Sequence, residues 1–155
     1  MKVGILGLGT VGGGVVNVLQ KNSSSYFYPV KQYDFWINNK DEIIFNFEKK
    51  IIENAFTFEA WNNEKLIGLV AAYINPNETA FITNVSVLKK YSNAGIAKVL
   101  ITMCIKKAVT MKIAQIDLEV NKSSVNAIKL YKKIGLMKIN EDKTTIKMSY
   151  RIRDK

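Results

Sequence analysis

Between Ala80 and Met137 the chain reads AFITNVSVLKKYSNAGIAKVLITMCIKKAVTMKIAQIDLEVNKSSVNAIKLYKKIGLM. This stretch holds an apolar strand, a small-residue turn, a helix, a second strand, a polar turn and a second helix. Such alternation calls for a sheet with helices packed against it, which sets the fold class as α/β. It also points to the chemistry. A small-residue turn between a strand and a helix suits an anion, because backbone N–H groups can come close and the helix adds its positive end. Tyr131, late in the second helix, is a side chain able to carry a proton.

The flanking sequence completes the sheet. FTFEAW (56–61), the turn Asn62-Asn63-Glu64-Lys65 and LIGLVAAYI (66–74) read as a hairpin. Asn75-Pro76-Asn77-Glu78 makes the next turn, and AFITNVSVL (80–88) the following strand. Residues 95–111 read as a helix with Ile96, Val99, Leu100, Met103 and Cys104 on its inner face. AQIDLEV (114–120) is a strand, and 123–134 is a helix stopped by Gly135. Strands at 136–140 and 144–152 are joined by Glu141-Asp142-Lys143. Upstream, Ile43, Ile44, Phe47, Ile51 and Ile52 keep helical spacing within 40–54, with Asn39 or Asp41 as the cap. The aromatic loop at 23–36 is either the wall of a substrate pocket or a lid on the core. With a strand at 2–7 and a helix after it, the order is β-α-α-β-β-β-α-β-α-β-β.

The chain's 155 residues, 48% hydrophobic and 23% charged, fit a single domain over 1–155. A net charge of +10 favours an anionic ligand such as a nucleotide cofactor. The lysines are scattered, so they read as a solvated surface rather than a specific nucleic-acid patch. The single cysteine, Cys104, excludes an internal disulfide and reads as a core residue. The absence of histidine removes His-based triads and bases and leaves no metal site to expect. Catalysis has to use carboxylates, tyrosine, lysine, water or backbone groups. Residues 3–19 are mostly apolar, but glycines interrupt them and no Ala-x-Ala signal follows. The expectation is a cytoplasmic protein without signal peptide or membrane span.

At the N-terminus, KVGILG leads into Gly7-Leu8-Gly9-Thr10-Val11-Gly12 and then GGGVVNVLQK. This is the Gly-x-Gly-x-x-Gly dinucleotide fingerprint in a strand–turn–helix setting. The first 22 residues resemble the N-terminus of homoserine dehydrogenases, and the resemblance stops there. No second parallel strand ending in an acidic residue follows; Pro29 breaks the apolar run and Asp34 sits on no clean strand. Two readings stand: a working nucleotide site, or a β-α unit kept for its packing and acquired by gene fusion.

VSVLKKYSNAGIAKVLI and LEVNKSSVNAIKLYKKIGL resemble the two cofactor signatures of the GCN5-related N-acetyltransferase (GNAT) family. The resemblance covers about residues 40–150, and the whole chain if 1–22 fill the family's first strand and helix. It implies a mixed, mainly antiparallel central sheet flanked by helices, with acetyl-CoA as co-substrate. Ser92, Asn93, Ala94, Gly95, Ile96 and Ala97 would cradle the pyrophosphate, and Val85 and Val87 would pair with the pantetheine arm. Ser124 and Asn126 would lie near the cofactor. Tyr131 would protonate the departing thiolate. Glu119, at the spacing from Tyr131 seen in ribosomal-protein N-terminal acetyltransferases, would serve as base, directly or through water. The acceptor is a small-molecule or peptide amine; Glu59, Trp61, Tyr73 and Asn84 could line its pocket together with the 26–36 aromatics. A homodimer is left open.

This sequence departs from the family pattern at three points. Ser92 stands where a long Arg or Gln donor is usual, Asn93 where glycine is usual, and Ser124 where asparagine is usual. CoA binding is therefore expected to be retained but weak. Bland readings stay open: Glu119 as an ordinary strand carboxylate and Tyr131 as a core aromatic. So do two rival functions, a non-catalytic relative with a degenerate cofactor turn and an NAD(P)-binding oxidoreductase fragment.

Overall fold

The computed structural model describes residues 2–6, 54–62 and 65–152. The glycine run after Leu6, the aromatic loop at 23–36 and the helices expected at 12–21 and 40–53 lie outside these residues. The described elements are β1 (Lys2–Leu6), β2 (Phe56–Asn62), β3 (Lys65–Tyr73), β4 (Ala80–Val87), α1 (Ile96–Thr110), β5 (Gln115–Asn121), α2 (Val125–Ile134), β6 (Met137–Glu141) and β7 (Thr145–Arg151). They form a seven-stranded sheet in the order β1-β2-β3-β4-β5-β7-β6. Every neighbouring pair is antiparallel except β4 and β5.

The parallel pair is the feature that shapes the molecule. Its register covers only Ala80–Ile82 against Ile116–Leu118. Beyond it, β4 stays bonded to β3 up to Val87 while β5 follows β7 up to Asn121. The register on β3 slips at the same place: Ala71 faces Asn84 and Ala72 faces Ile82, so Thr83 is an extra residue, a β-bulge. Bulges bend a strand and increase its twist. Here the bend coincides with the point where two strands part, leaving a gap between Thr83–Val87 and Glu119–Asn121.

One face of the sheet carries the apolar core. Phe58, Val70, Ala72, Ile82, Ile116, Leu118, Val120 and Met148 form it with Ile96, Leu100, Ile101, Cys104 and Ala108 of α1 and Tyr131 of α2. The inner face of α1 is therefore rotated from the sequence expectation. Ile101 and Ala108 are buried, Met103 only packs on the margin, and Val99 is 43% exposed. The reason is the ridge Ile96-Leu100-Cys104-Ala108, spaced four apart, which seats along β3 and turns Val99 away. That seat needs Gly68: a Cβ there would stand 2.8 Å from Ile96 Cγ2 and 3.4 Å from Leu100 Cδ1. On α2, Tyr131 is buried, and Ala127, Ile128, Leu130 and Ile134 pack on the core's margin. No helix among the described residues is long and apolar enough to cross a membrane.

The edge strand β1 pairs antiparallel with β2, Gly4 lying opposite Glu59. In a dinucleotide fold the strand feeding the glycine turn has parallel neighbours joined by crossover helices. The described pairing of β1 is not of that kind.

Candidate active site

The turn between β4 and α1 is built to present backbone donors. Leu88 N–H donates to the Ile67 carbonyl at 2.9 Å, anchoring the turn to β3. Asn62 Nδ2 donates to Tyr91 Oη at 3.0 Å, tying it to the end of β2. Between these anchors and the helix, Asn93 takes φ 63° and Gly95 φ 78°. Left-handed backbone at two nearby positions curls the chain so that successive N–H groups turn inward. Asn93 tolerates this conformation better than most residues, which explains how the turn keeps its shape without the usual glycine.

The first backbone donor of α1 bonded to a described carbonyl is Val99 N–H, to Gly95 at 3.1 Å. The N–H groups of residues 93–98 donate to no described backbone carbonyl. Gly95 caps the helix without a side-chain bond, and the first turn holds no acidic residue. A Cβ at Gly95 would meet nothing within 4 Å, so the space in front of the donors is open. Free donors, a helix N-terminus and open space fit a diphosphate. Ser92, Asn93 and Ala94 are exposed, Ala97 is half-buried and Ile96 is buried beneath, holding the turn to the core.

Val85 and Val87 are half-buried and pack on the core side of β4. Their strand pairs with β3 on one edge, while the edge facing β5 has no described partner beyond Ile82. An extended chain can add to such an edge through backbone hydrogen bonds.

Across the gap, β5 ends at Asn121, whose Oδ1 accepts from Ser123 N–H and Ser123 Oγ, both at 2.8 Å. This Asx turn starts α2 and was not read from the sequence; its signal was an asparagine two residues before a serine at a strand end. Ser124 sits at the N-cap position and makes no capping bond, and Asn126 is exposed. Tyr131 is 2% exposed, and burial raises its phenol above the usual tyrosine range. Its hydroxyl bonds to no described residue.

Glu119 alternates with Leu118 and Val120, which belong to the core, so its carboxylate points to the opposite face. The structure thus places Glu119 and Tyr131 on opposite sides of the sheet, Glu119 beside the gap. Glu119 shares its face with Lys147, its register partner on β7. Asp117 on that face is held below the usual carboxylate range; burial opposes this, and Lys147, Ser149 and Gln115 outweigh it. Lys147 Nζ stands 3.0 Å from Asp117 Oδ2, and Gln115 Nε2 donates to Asp117 Oδ1 at 2.8 Å.

Further along the face, Ser86 Oγ donates to Asn84 Oδ1 at 2.9 Å. Glu59 on β2 is 1% exposed; its Oε2 accepts from Trp61 Nε1 at 2.9 Å, while Oε1 has no partner. Burial raises its carboxyl above the usual range, partly offset by the bonds from Trp61 and Thr57. Tyr73 lies on this face too and bonds to Thr83, the bulge residue. Among the described residues, no cluster of His, Cys, Asp or Glu could hold a metal ion.

The sequence model of the acetyltransferase (GNAT) family matches residues 16–136. The chain belongs to the GNAT acetyltransferase family. It is accordingly an acetyl-CoA-dependent N-acetyltransferase with acetyl-CoA as co-substrate. No curated protein sequence matches it. Solved structures share its fold over nearly the full chain. PH1933 from Pyrococcus horikoshii OT3 superposes with TM-score 0.77 at 20% identity, over 98% of this chain and 99% of that one. The ribosomal-protein-S18-alanine N-acetyltransferase from Escherichia coli gives 0.74 at 17% identity, over 99% and 96%. The paia N-acetyltransferase from Thermoplasma acidophilum, in complex with coenzyme A, gives 0.73 at 17% identity, over 98% and 100%.

Proposed function

We propose that this acetyltransferase moves the acetyl group directly from acetyl-CoA to an amine, across the gap between β4 and β5. The observation that supports this is the gap itself, flanked by a turn of free N–H donors, an unpaired strand edge and Glu119. Residues 93–98 would bind the diphosphate, and the free edge of β4 at Val85 and Val87 would hold the pantetheine arm. Ser124 and Asn126 would contact the cofactor from the start of α2.

With the arm in the gap, Tyr131 would serve the thioester sulfur from the core side and Glu119 would serve the incoming amine from the opposite face. The incoming ammonium gives up a proton to Glu119, directly or through water. The nitrogen attacks the carbonyl carbon, the C–N bond forms and the C–S bond breaks. The leaving thiolate takes the phenolic proton of Tyr131, and the second proton that the acylated nitrogen sheds returns through water to the Tyr131 phenolate. A phenol kept neutral by burial is in the state this step requires.

The acceptor is a small-molecule or peptide amine, and the setting is cytoplasmic. Residues 1–22 supply the sheet's first strand within a single domain, the reading that also accounts for their resemblance to homoserine dehydrogenases by fusion. Thermal shift tests the cofactor assignment: acetyl-CoA should raise Tm, whereas NAD and NADP should not. No binding of acetyl-CoA at millimolar concentration would sink the enzyme reading.

A further inference from the structure

The face of the sheet that carries Glu119 holds two further carboxylates. Asp117 is neutralised by Lys147 and Gln115. Glu59 is not neutralised: its hydrogen bonds come from the uncharged Trp61 and Thr57 side chains, Oε1 has no partner, and no described lysine or arginine pairs with it. This is so in a chain with 23 Lys and Arg against 13 Asp and Glu. A buried carboxylate oxygen left without a donor is costly, and native structures seldom keep one without a reason.

Register fixes where it points. Glu59 lies opposite Leu69 on β3, and Leu69 opposite Ser86 on β4, so Glu59, Ser86 and Asn84 share one face. On the far side Glu59 faces Gly4, which has no side chain to oppose it. Asn84 and Ser86 satisfy each other and add no charge. Along the face from the gap toward β2, the next uncompensated group after Glu119 is therefore Glu59. The two are three strands apart across the sheet and about two residues apart along it, with the opening between β4 and β5 lying between them.

We propose that Glu59 binds a second cationic group of the acceptor, which makes the substrate class a diamine, polyamine or other amine carrying a remote positive charge. This rests on the reading that the reacting amine sits beside Glu119. The second cation can belong to a diamine chain or to a basic residue that follows a peptide N-terminus.

The test compares acetyl-CoA-dependent turnover of α,ω-diamines from 1,2-diaminoethane to 1,8-diaminooctane with that of n-hexylamine. The wild-type enzyme should show kcat/KM for at least one diamine of the series at least tenfold above hexylamine, with the difference in KM. In Glu59→Gln, which keeps an oxygen for Trp61 and removes the charge, that ratio should collapse toward one. A peptide pair, Ala-Arg amide and Ala-Ala amide, tells the source of the cation: a charge preference confined to this pair and lost in Glu59→Gln assigns the site to peptides. Equal kcat/KM for hexylamine and every diamine, together with equal values for the two peptides, overturns the proposal. So does a charge preference that survives Glu59→Gln. The wild-type chain-length profile stands even if the variant fails to fold. Loss of acetyl-CoA stabilisation in thermal shift is a different failure, that of the transfer reading beneath.

Discussion

In the proposed transfer Tyr131 and Glu119 divide the chemistry between two faces of one sheet, and each can be tested singly. The Tyr131 side chain is 2% exposed and its hydroxyl has no described partner, so Tyr131→Phe removes no described bond that holds the fold. Its Tm should be unchanged or up to about 3 °C higher. Its kcat should fall roughly 100-fold, the scale of one lost general acid. An unchanged kcat would make Tyr131 a core aromatic and nothing more. Glu119→Gln should lower kcat by a similar factor at neutral pH, with partial recovery at higher pH as free amine becomes abundant. Glu59 carries a separate prediction for stability. Its carboxyl is raised by burial, so between the ordinary carboxyl range and its folded value the native state binds the extra proton. The linkage makes stability fall as pH climbs through that window. The cost is absent below about pH 4.5. Glu59→Gln should therefore be more stable than wild type at neutral pH, and the gain should vanish near pH 4, as read by chemical denaturation.

At the scale of elements, α1 and the turn before it act together, because Ile96 is both the first helical residue and the contact on Gly68. Gly68→Ala puts a methyl 2.8 Å from Ile96 Cγ2 and must lift the start of the helix. The expected cost is about 1–3 kcal/mol of stability. Isothermal titration should also show acetyl-CoA binding several-fold more weakly, since the donors of the cradle move with that turn. A loss of stability with unchanged affinity would detach the cradle from its seat on β3. These elements were largely legible in the sequence. The strands and helices after Ala55 begin and end within two residues of where periodicity and turn residues put them. Legibility failed where a feature has no local signal. The bulge at Thr83 is a register slip between strands, and register is a relation between distant residues. The orientation of α1 failed for the same reason: Val99 and Ile101 are equally apolar, and only the position of Gly68 decides which of them faces the sheet. The turn before α1 was legible from its small residues, yet the tie between Asn62 and Tyr91 spans 29 residues and left no trace in either segment.

For the whole molecule, the buried carboxylates Glu59 and Asp117 lie on the sheet face opposite the main apolar core. The core face joins α1, α2 and the sheet into one apolar layer, and it contains two weak acids, Cys104 and Tyr131, both disfavoured from ionising by burial. This arrangement gives the molecule an alkaline limit. Burial pushes the Cys104 thiol from 9.0 up to about 12, so between those values the unfolded chain sheds a proton that the folded one keeps. The native state then binds more protons than the unfolded state, and stability falls as pH rises. At about 1.4 kcal/mol per pH unit, the loss from this thiol alone reaches about 2 kcal/mol at pH 10.5. Lysines also lose charge in this range and relieve the repulsion within a +10 chain, so wild type alone is not a clean test. The comparison with Cys104→Ala is clean, because both proteins carry the same lysines. At pH 7 the variant should be less stable, since it leaves a small cavity beneath α1. Urea denaturation from pH 7 to 10.5 should show the gap between the two proteins closing by about 2 kcal/mol, and reversing if the cavity costs less than that. A gap that stays constant across this range would mean that the thiol ionises as readily in the folded protein as in the unfolded chain, and that α1 does not seal that part of the core.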